Sequence, residues 1–192
     1  MTERVCPYWM GYFLANRLRK LLQNPYRILA PYVRAGMTVL DVGPAMGFFC
    51  LPMAEMVGPN GKVVCVDVQP RMLDVLRRRA ARARLSARIQ THVAREGSLA
   101  LEGYDNRFDF ALAFAVLHEV PDQTHLLREI HRLLKPGASL LLAEPTGHVT
   151  EPEFEGTISR AMDSGFAEIG RPQIRLSRAA VLVEPERKRP PK

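Results

Sequence analysis

The chain has 192 residues, 47% hydrophobic and 24% charged, with a net charge of +7, values that fit one globular domain with a substantial core. No apolar run is long enough to span a membrane, and Met1-Thr2-Glu3-Arg4 leads into aromatic residues rather than a signal-peptide core, so a cytoplasmic location is expected. Cys6, Cys50 and Cys65 form neither a disulfide framework nor a metal spacing; Cys50 and Cys65 fall in expected core elements and read as buried thiols.

Val5 to about Leu22 mixes aromatic and apolar residues at helical spacing, and Asn24-Pro25 breaks it before a short helix over Tyr26–Val33. Gly36 precedes the first strand, 38–42, and a helix is expected from Gly47 to Val57. Gly58-Pro59-Asn60-Gly61 turns the chain into strand two, 62–67. Pro70 suits the first position of a helix running to about Arg84. Arg88–Val93 is a short third strand, and 94–107 reads as loop. Strand four, Phe108–Ala115, is followed by a helix capped by Asp122 and ending near Leu134. Lys135-Pro136-Gly137 reads as a sharp stop before strand five, Ser139–Ala143. A helix over Glu151–Ser164 ends at Gly165. Two final strands, Ala167–Arg175 and Arg178–Val183, have no helix between them and are expected to pair antiparallel. This alternation predicts a mostly parallel seven-stranded α/β sheet with helices on both faces. The expected organisation is an N-terminal helical lid or cap (1–35), a main domain (36–184) and a flexible tail (185–192).

Val39-Leu40-Asp41-Val42-Gly43-Pro44-Ala45-Met46-Gly47 is a buried strand ending in an acid and a glycine-bounded turn, and Asp67 ends the next strand. A backbone turn feeding a helix at the carboxyl end of a parallel strand is the usual place for a nucleotide-like ligand, and an acid ending the next strand can accept hydrogen bonds from ribose hydroxyls. The spacing is not G-x-G-x-x-G, and no P-loop lysine follows. The pattern resembles motif I of the class I S-adenosylmethionine-dependent methyltransferases, with Ala45 where that motif has its middle glycine. Alanine adds a methyl group and disfavours positive φ.

The resemblance covers Asn24–Glu184 in order, including Phe108-Asp109-Phe110-Ala111-Leu112, Val116-Leu117-His118-Glu119-Val120 and Leu134-Lys135-Pro136-Gly137-Ala138. It is strongest to the small-molecule branch, which includes the ubiquinone/menaquinone-biosynthesis enzymes. It implies S-adenosylmethionine as cofactor, with Asp41 toward the methionine part and Asp67 on the ribose. The implied cofactor residues are Asp41, Gly43, Pro44, Ala45, Gly47, Asp67, Val68, Met72, Arg95, Glu96 and Ala113, with Arg95 and Glu96 as neighbours of adenine.

Methyl transfer from a sulfonium is an in-line displacement, so positioning and water exclusion supply much of the effect. A general base is needed only where the acceptor must lose a proton. His118 and Glu119 are the candidates, because they follow strand four at the ligand-binding edge and histidine titrates near neutrality; a packing role for His118 is the competing reading. His118, His125 and His131 lack the H-E-x-x-H spacing, so no metal is expected. The acid-x-Pro-Pro-aromatic signature of amino-methylating nucleic-acid enzymes is absent at Phe114-Ala115-Val116-Leu117. Tyr8, Trp9, Tyr12 and Phe13 suggest either a packed helix or a lid over the acceptor, and Tyr8, Trp9, Tyr12 and His148 are the expected acceptor contacts. Arg71, Arg77, Arg78, Arg79, Arg82, Arg84 and Arg88 read as a solvated face, since no aromatic residue is interleaved to stack bases, and nucleic acid is not the expected partner. The leading expectation is methyl transfer to a small molecule. The alternatives are a cofactor-binding protein without transferase activity, an RNA methyltransferase using the arginine-rich helix and, last, a nicotinamide oxidoreductase.

Overall fold

The computed structural model describes residues 22–95 and 97–185; Cys6, Tyr8, Trp9, Tyr12, Phe13, Glu96 and the tail from 186 lie outside the described residues. Helix α1 (Pro25–Leu29) starts where the Asn24 side chain accepts hydrogen bonds from the backbone N–H groups of Tyr26 and Arg27, with proline in the first turn. Its Leu29 is buried, and Tyr32 beyond it stacks on Phe110 at 5.5 Å. This part of the expected cap therefore belongs to the core.

The chain then alternates: β1 (Thr38–Val42), α2 (Cys50–Met56), β2 (Lys62–Asp67), α3 (Pro70–Arg82), β3 (Ile89–Val93), β4 (Phe108–Phe114), α4 (Gln123–Leu133), β5 (Leu134–Pro145), α5 (Glu151–Asp163), β6 (Ala167–Gly170) and β7 (Ser177–Val183). The strands form one seven-stranded sheet in the order β3-β2-β1-β4-β5-β7-β6. The pairs among β1 to β5 are parallel, and β7 lies antiparallel between β5 and β6. Successive side chains on a strand face opposite sides of a sheet. Leu40, Val42, Ala111, Leu140 and Leu142 thus face α4 and α5. Val39, Cys65, Phe110 and Leu141 face α1, α2 and α3. The motif turn leaves β1 at the carboxyl edge beside the switch from β1 to β4, where open α/β sheets bind ligands.

Several boundaries differ from the sequence expectation for physical reasons. Helix α2 begins at Cys50 rather than Gly47, because Ala45 and Gly47 have φ of +47° and +86° and cannot continue a right-handed helix. Strand β5 starts at Leu134, before the expected stop. Leu134 pairs with Phe108 and Ser139 with Phe110, so Lys135-Pro136-Gly137-Ala138 forms a bulge, where a proline without an N–H is tolerated. Strand β6 is shorter than expected. Arg171 leaves it to pair with Glu155 and Glu168, and the chain turns at Ile174–Ser177 before β7. Asp122 caps α4 through His125 N–H at 2.9 Å, as the sequence indicated.

Candidate functional site

The motif turn is built by backbone contacts. Gly43 N–H donates to Val66 O at 2.9 Å and Gly47 N–H to Pro44 O at 2.9 Å. Gly43 sits at φ +68°, and a Cβ there would lie 2.8 Å from Val116 Cγ2. The turn and the segment after β4 are therefore in direct contact, and only glycine fits between them. Ala45 takes a left-handed backbone despite its side chain. The Arg79 guanidinium donates to Met46 O, and buried Met46, Met72 and Val75 pack together, so α3 braces the turn.

Asp41 is 2% exposed, and its Oδ2 has no hydrogen-bond partner among the described residues. Burial first, and the charge of Asp67 second, push its carboxyl well above the ordinary range. A buried acceptor left this way calls for a donor, and a ligand ammonium is a suitable one. Asp67 is pushed up to about 6, chiefly by burial and then by the charge of Glu119; backbone N–H groups of Gln69, Ala45 and Val68 oppose the shift. Asp41 and Glu119 thus each lie within electrostatic reach of Asp67, a clustering of acids that a cationic ligand would relieve. The Cys50 and Cys65 thiols lie behind Asp41, 2.8 Å apart, and burial raises both so that they stay protonated in the core.

The second half of the site follows β4. Glu144, next to last in β5, is 1% exposed. Its Oε1 accepts from Leu117 N–H at 2.8 Å, and its Oε2 is hydrogen-bonded to His118 Nδ1. That side-chain hydrogen bond leads the causes that raise the His118 pKa, and burial opposes it. His118 Nε2 is 3.9 Å from Glu119 Oε1, and the His148 ring packs edge-on to His118 with centroids 5.6 Å apart.

The structure brings together Asp41, Gly43, Pro44, Ala45, Gly47 and Asp67 around one turn, and His118, Glu119 and His148 beside it. Val68 is exposed just beyond Asp67. The Ala113 methyl lies in the core with Leu40 and Leu142. The Arg95 side chain points outward to Glu102 at 3.3 Å, while its backbone bridges Ser98. The loop after β3 is pinned by Glu129, which accepts from Ser98 Oγ and from Leu99 N–H at 2.7 Å. Sequence reasoning missed Glu144, Glu129 and Arg79. The strand-end acid before Pro145 was the one visible signal for Glu144. On the arginine-rich stretch, Arg77 bonds Asp74 and Thr91, Arg79 bonds Met46, and Arg88 bonds Ala54, so three of the seven arginines serve the fold.

Residues 34–170 match the profile of a family described as a methyltransferase domain. The demethylmenaquinone methyltransferase of Shouchella clausii is 34% identical over 123 residues, 64% of this chain and 51% of that protein. The ubiquinone/menaquinone biosynthesis C-methyltransferase of Hahella chejuensis is 35% identical over 127 residues, 64% of this chain and 50% of that protein. The chain thus spans about half the length of the curated relatives it matches. Among solved structures, a SAM-dependent methyltransferase from Aquifex aeolicus superposes with a TM-score of 0.82 at 25% identity, covering 93% of this chain and 98% of that one.

Proposed function

The chain belongs to the methyltransferase-domain family, and from that premise we propose that it transfers the methyl group of S-adenosylmethionine to a small-molecule acceptor. The observation that carries this reading is the turn itself: a buried oxygen on Asp41 with no partner among the described residues, a glycine-bounded backbone loop and a second acid, Asp67, at the ligand-binding edge of the sheet. These residues fit the cofactor. Asp41 supplies an acceptor for the amino group, Asp67 for ribose hydroxyls, and the mutual influence of Asp41, Asp67 and Glu119 suits a molecule of positive charge. When bound, the cofactor supplies an electrophilic methyl group on a neutral leaving group. The protein holds donor and acceptor in line and keeps water out, an arrangement that contributes about 7–11 kcal/mol in favourable intramolecular systems.

The acceptor is proposed to be a small planar molecule, in keeping with the relatives whose names specify demethylmenaquinone and ubiquinone/menaquinone biosynthesis. No helix among the described residues is long and apolar enough to cross a membrane. The test is a scan of metabolites and quinone precursors, read as S-adenosylhomocysteine released. Tighter binding of NAD than of S-adenosylmethionine, with no release against any acceptor, sinks the proposal.

A further inference from the structure

Resting on the methyl-transfer reading above, we propose that His118 is the general base of the reaction, that Glu144 is its positioning residue, and that the acceptor is a hydroxyl-bearing molecule of the phenol or quinol class. Such an acceptor must lose a proton as it is methylated. A thiol ionises readily near neutrality, but a phenol-like hydroxyl has an ordinary pKa of about 10 and needs a base to become a good nucleophile.

The argument begins with Glu144. A carboxylate that is 1% exposed is costly to bury, and it persists where donors satisfy both oxygens. Here the donors are Leu117 N–H on Oε1 and His118 Nδ1 on Oε2. With the Glu144 carboxylate accepting at both oxygens, the neutral imidazole carries its proton on Nδ1. Nε2 then keeps its lone pair, which is the tautomer a base requires. The groups that face His118 are Glu144 from β5, Glu119 from its own turn and His148 from the segment after β5. Behind Glu119 lies Asp67, whose carboxyl feels the Glu119 charge. The whole segment leans on the cofactor turn, because Val116 abuts Gly43.

The step balances. The acceptor oxygen, rather than the carbon named for the C-methyltransferase relative, forms a bond to the methyl carbon as the carbon–sulfur bond breaks with its electron pair left on sulfur. The acceptor's proton goes to His118 Nε2. The positive charge lost from sulfur reappears on the imidazolium, which Glu144 and Glu119 both face. The raised pKa gives the pH sign: His118 is protonated and inactive as a base at low pH, and turnover rises as pH rises through a value above the ordinary 6.5.

Glu144→Gln tests the idea, because the geometry dictates what the amide does. Leu117 N–H needs an acceptor, so the amide oxygen stays on it and the amide NH2 turns to His118. That NH2 donates to Nδ1, drives the imidazole proton to Nε2 and removes the lone pair that takes the acceptor's proton. Nitrogen-15 NMR of histidine-labelled protein, assigned with His118→Gln, should show the proton on Nδ1 in the native protein and on Nε2 in Glu144→Gln. The His118 midpoint should start above 6.5 and fall in the variant. Turnover of 1,4-dihydroxynaphthalene or catechol with S-adenosylmethionine should drop by about 10²-fold or more in kcat in Glu144→Gln, and likewise in His118→Gln. A native Nε2–H tautomer, an unmoved midpoint or an undiminished kcat overturns the dyad, as does transfer to thiophenol without transfer to either hydroxylated probe. Absence of S-adenosylmethionine binding by calorimetry overturns instead the methyl-transfer reading beneath it.

Discussion

Asp67→Asn should push binding and stability in opposite directions. The native carboxyl is raised from 3.8 to about 6, mainly by burial. A group whose folded pKa is raised contributes stability that is fully present below its unfolded pKa and is lost as pH rises through the folded one. The window here is therefore about pH 4 to 6, and at pH 7 the native fold carries a charge it would rather not hold. A shift of about 2 units at about 1.4 kcal/mol each sets that cost at about 3 kcal/mol. Asparagine keeps an acceptor for Gln69 N–H, which reaches Asp67 Oδ1 at 2.8 Å, but carries no charge. Apoprotein with Asp67→Asn should thus gain up to about 3 kcal/mol at pH 7 in urea unfolding, and little at pH 4. Binding should go the other way. Hydrogen bonds to charged groups contribute about 1.5–3 kcal/mol, so S-adenosylhomocysteine should bind about 10–150-fold more weakly. In the native protein its affinity should fall about tenfold from pH 7 to pH 5, as Asp67 protonates, and proton release on binding should peak below pH 6, midway between the free value and the lower one of the complex, in calorimetry across buffers. The variant should lose the part of that dependence that belongs to Asp67. Unchanged affinity, or a variant less stable than the native protein at pH 7, refutes the reasoning.

Other outcomes follow from single contacts. Ala45→Gly removes a side chain held at φ +47° and should raise thermal stability by about 0.5–1 kcal/mol, the left-handed strain of about 1–2 kcal/mol less the entropy of glycine; a lower Tm would show that the strain is absent. Glu129→Ala strips the acceptor from Leu99 N–H and Ser98 Oγ and should cost about 1–3 kcal/mol, with faster amide exchange confined to the 98–101 loop; unchanged exchange there would remove Glu129 as its anchor. Phe110→Ala, at a fully buried ring stacked on Tyr32, should cost about 3–5 kcal/mol in denaturant unfolding, and a cost under 1 kcal/mol would contradict the packing described.

The strand–helix alternation was legible because both signals are local. Apolar runs such as Val63–Val66 and Phe110–Phe114 read as strands buried on both faces, and the sheet buries them so. The antiparallel ending was legible because two strands with no helix between them have no crossover to make them parallel. Boundaries failed where tertiary contacts overrode local preference. Lys135-Pro136-Gly137 has the composition of a stop, yet Lys135 Nζ is held by Asp109 Oδ1 at 2.5 Å and the next turn of chain stays against β4 as a bulge. Strand β6 has extended composition through Arg175, but Arg171 is drawn away by two glutamates that lie 16 and 3 residues from it.

The site divided along the same line. Asp41, Gly43 and Asp67 were readable as one cluster because each lies at the end of a strand or in the turn that follows it, a placement the sequence pattern carries. Glu144 was not, because its role depends on His118, 26 residues away, and only the parallel pairing of β4 with β5 brings the two strand ends together. Ala45 shows a third case. Its residue type argues against positive φ, and the backbone adopts it all the same, since Gly43 and Gly47 on either side fix the turn and Arg79 holds Met46 O from α3. A turn held at three points can absorb about 1–2 kcal/mol at the fourth, so a methyl group in place of a glycine hydrogen is compatible with the loop the proposed cofactor requires.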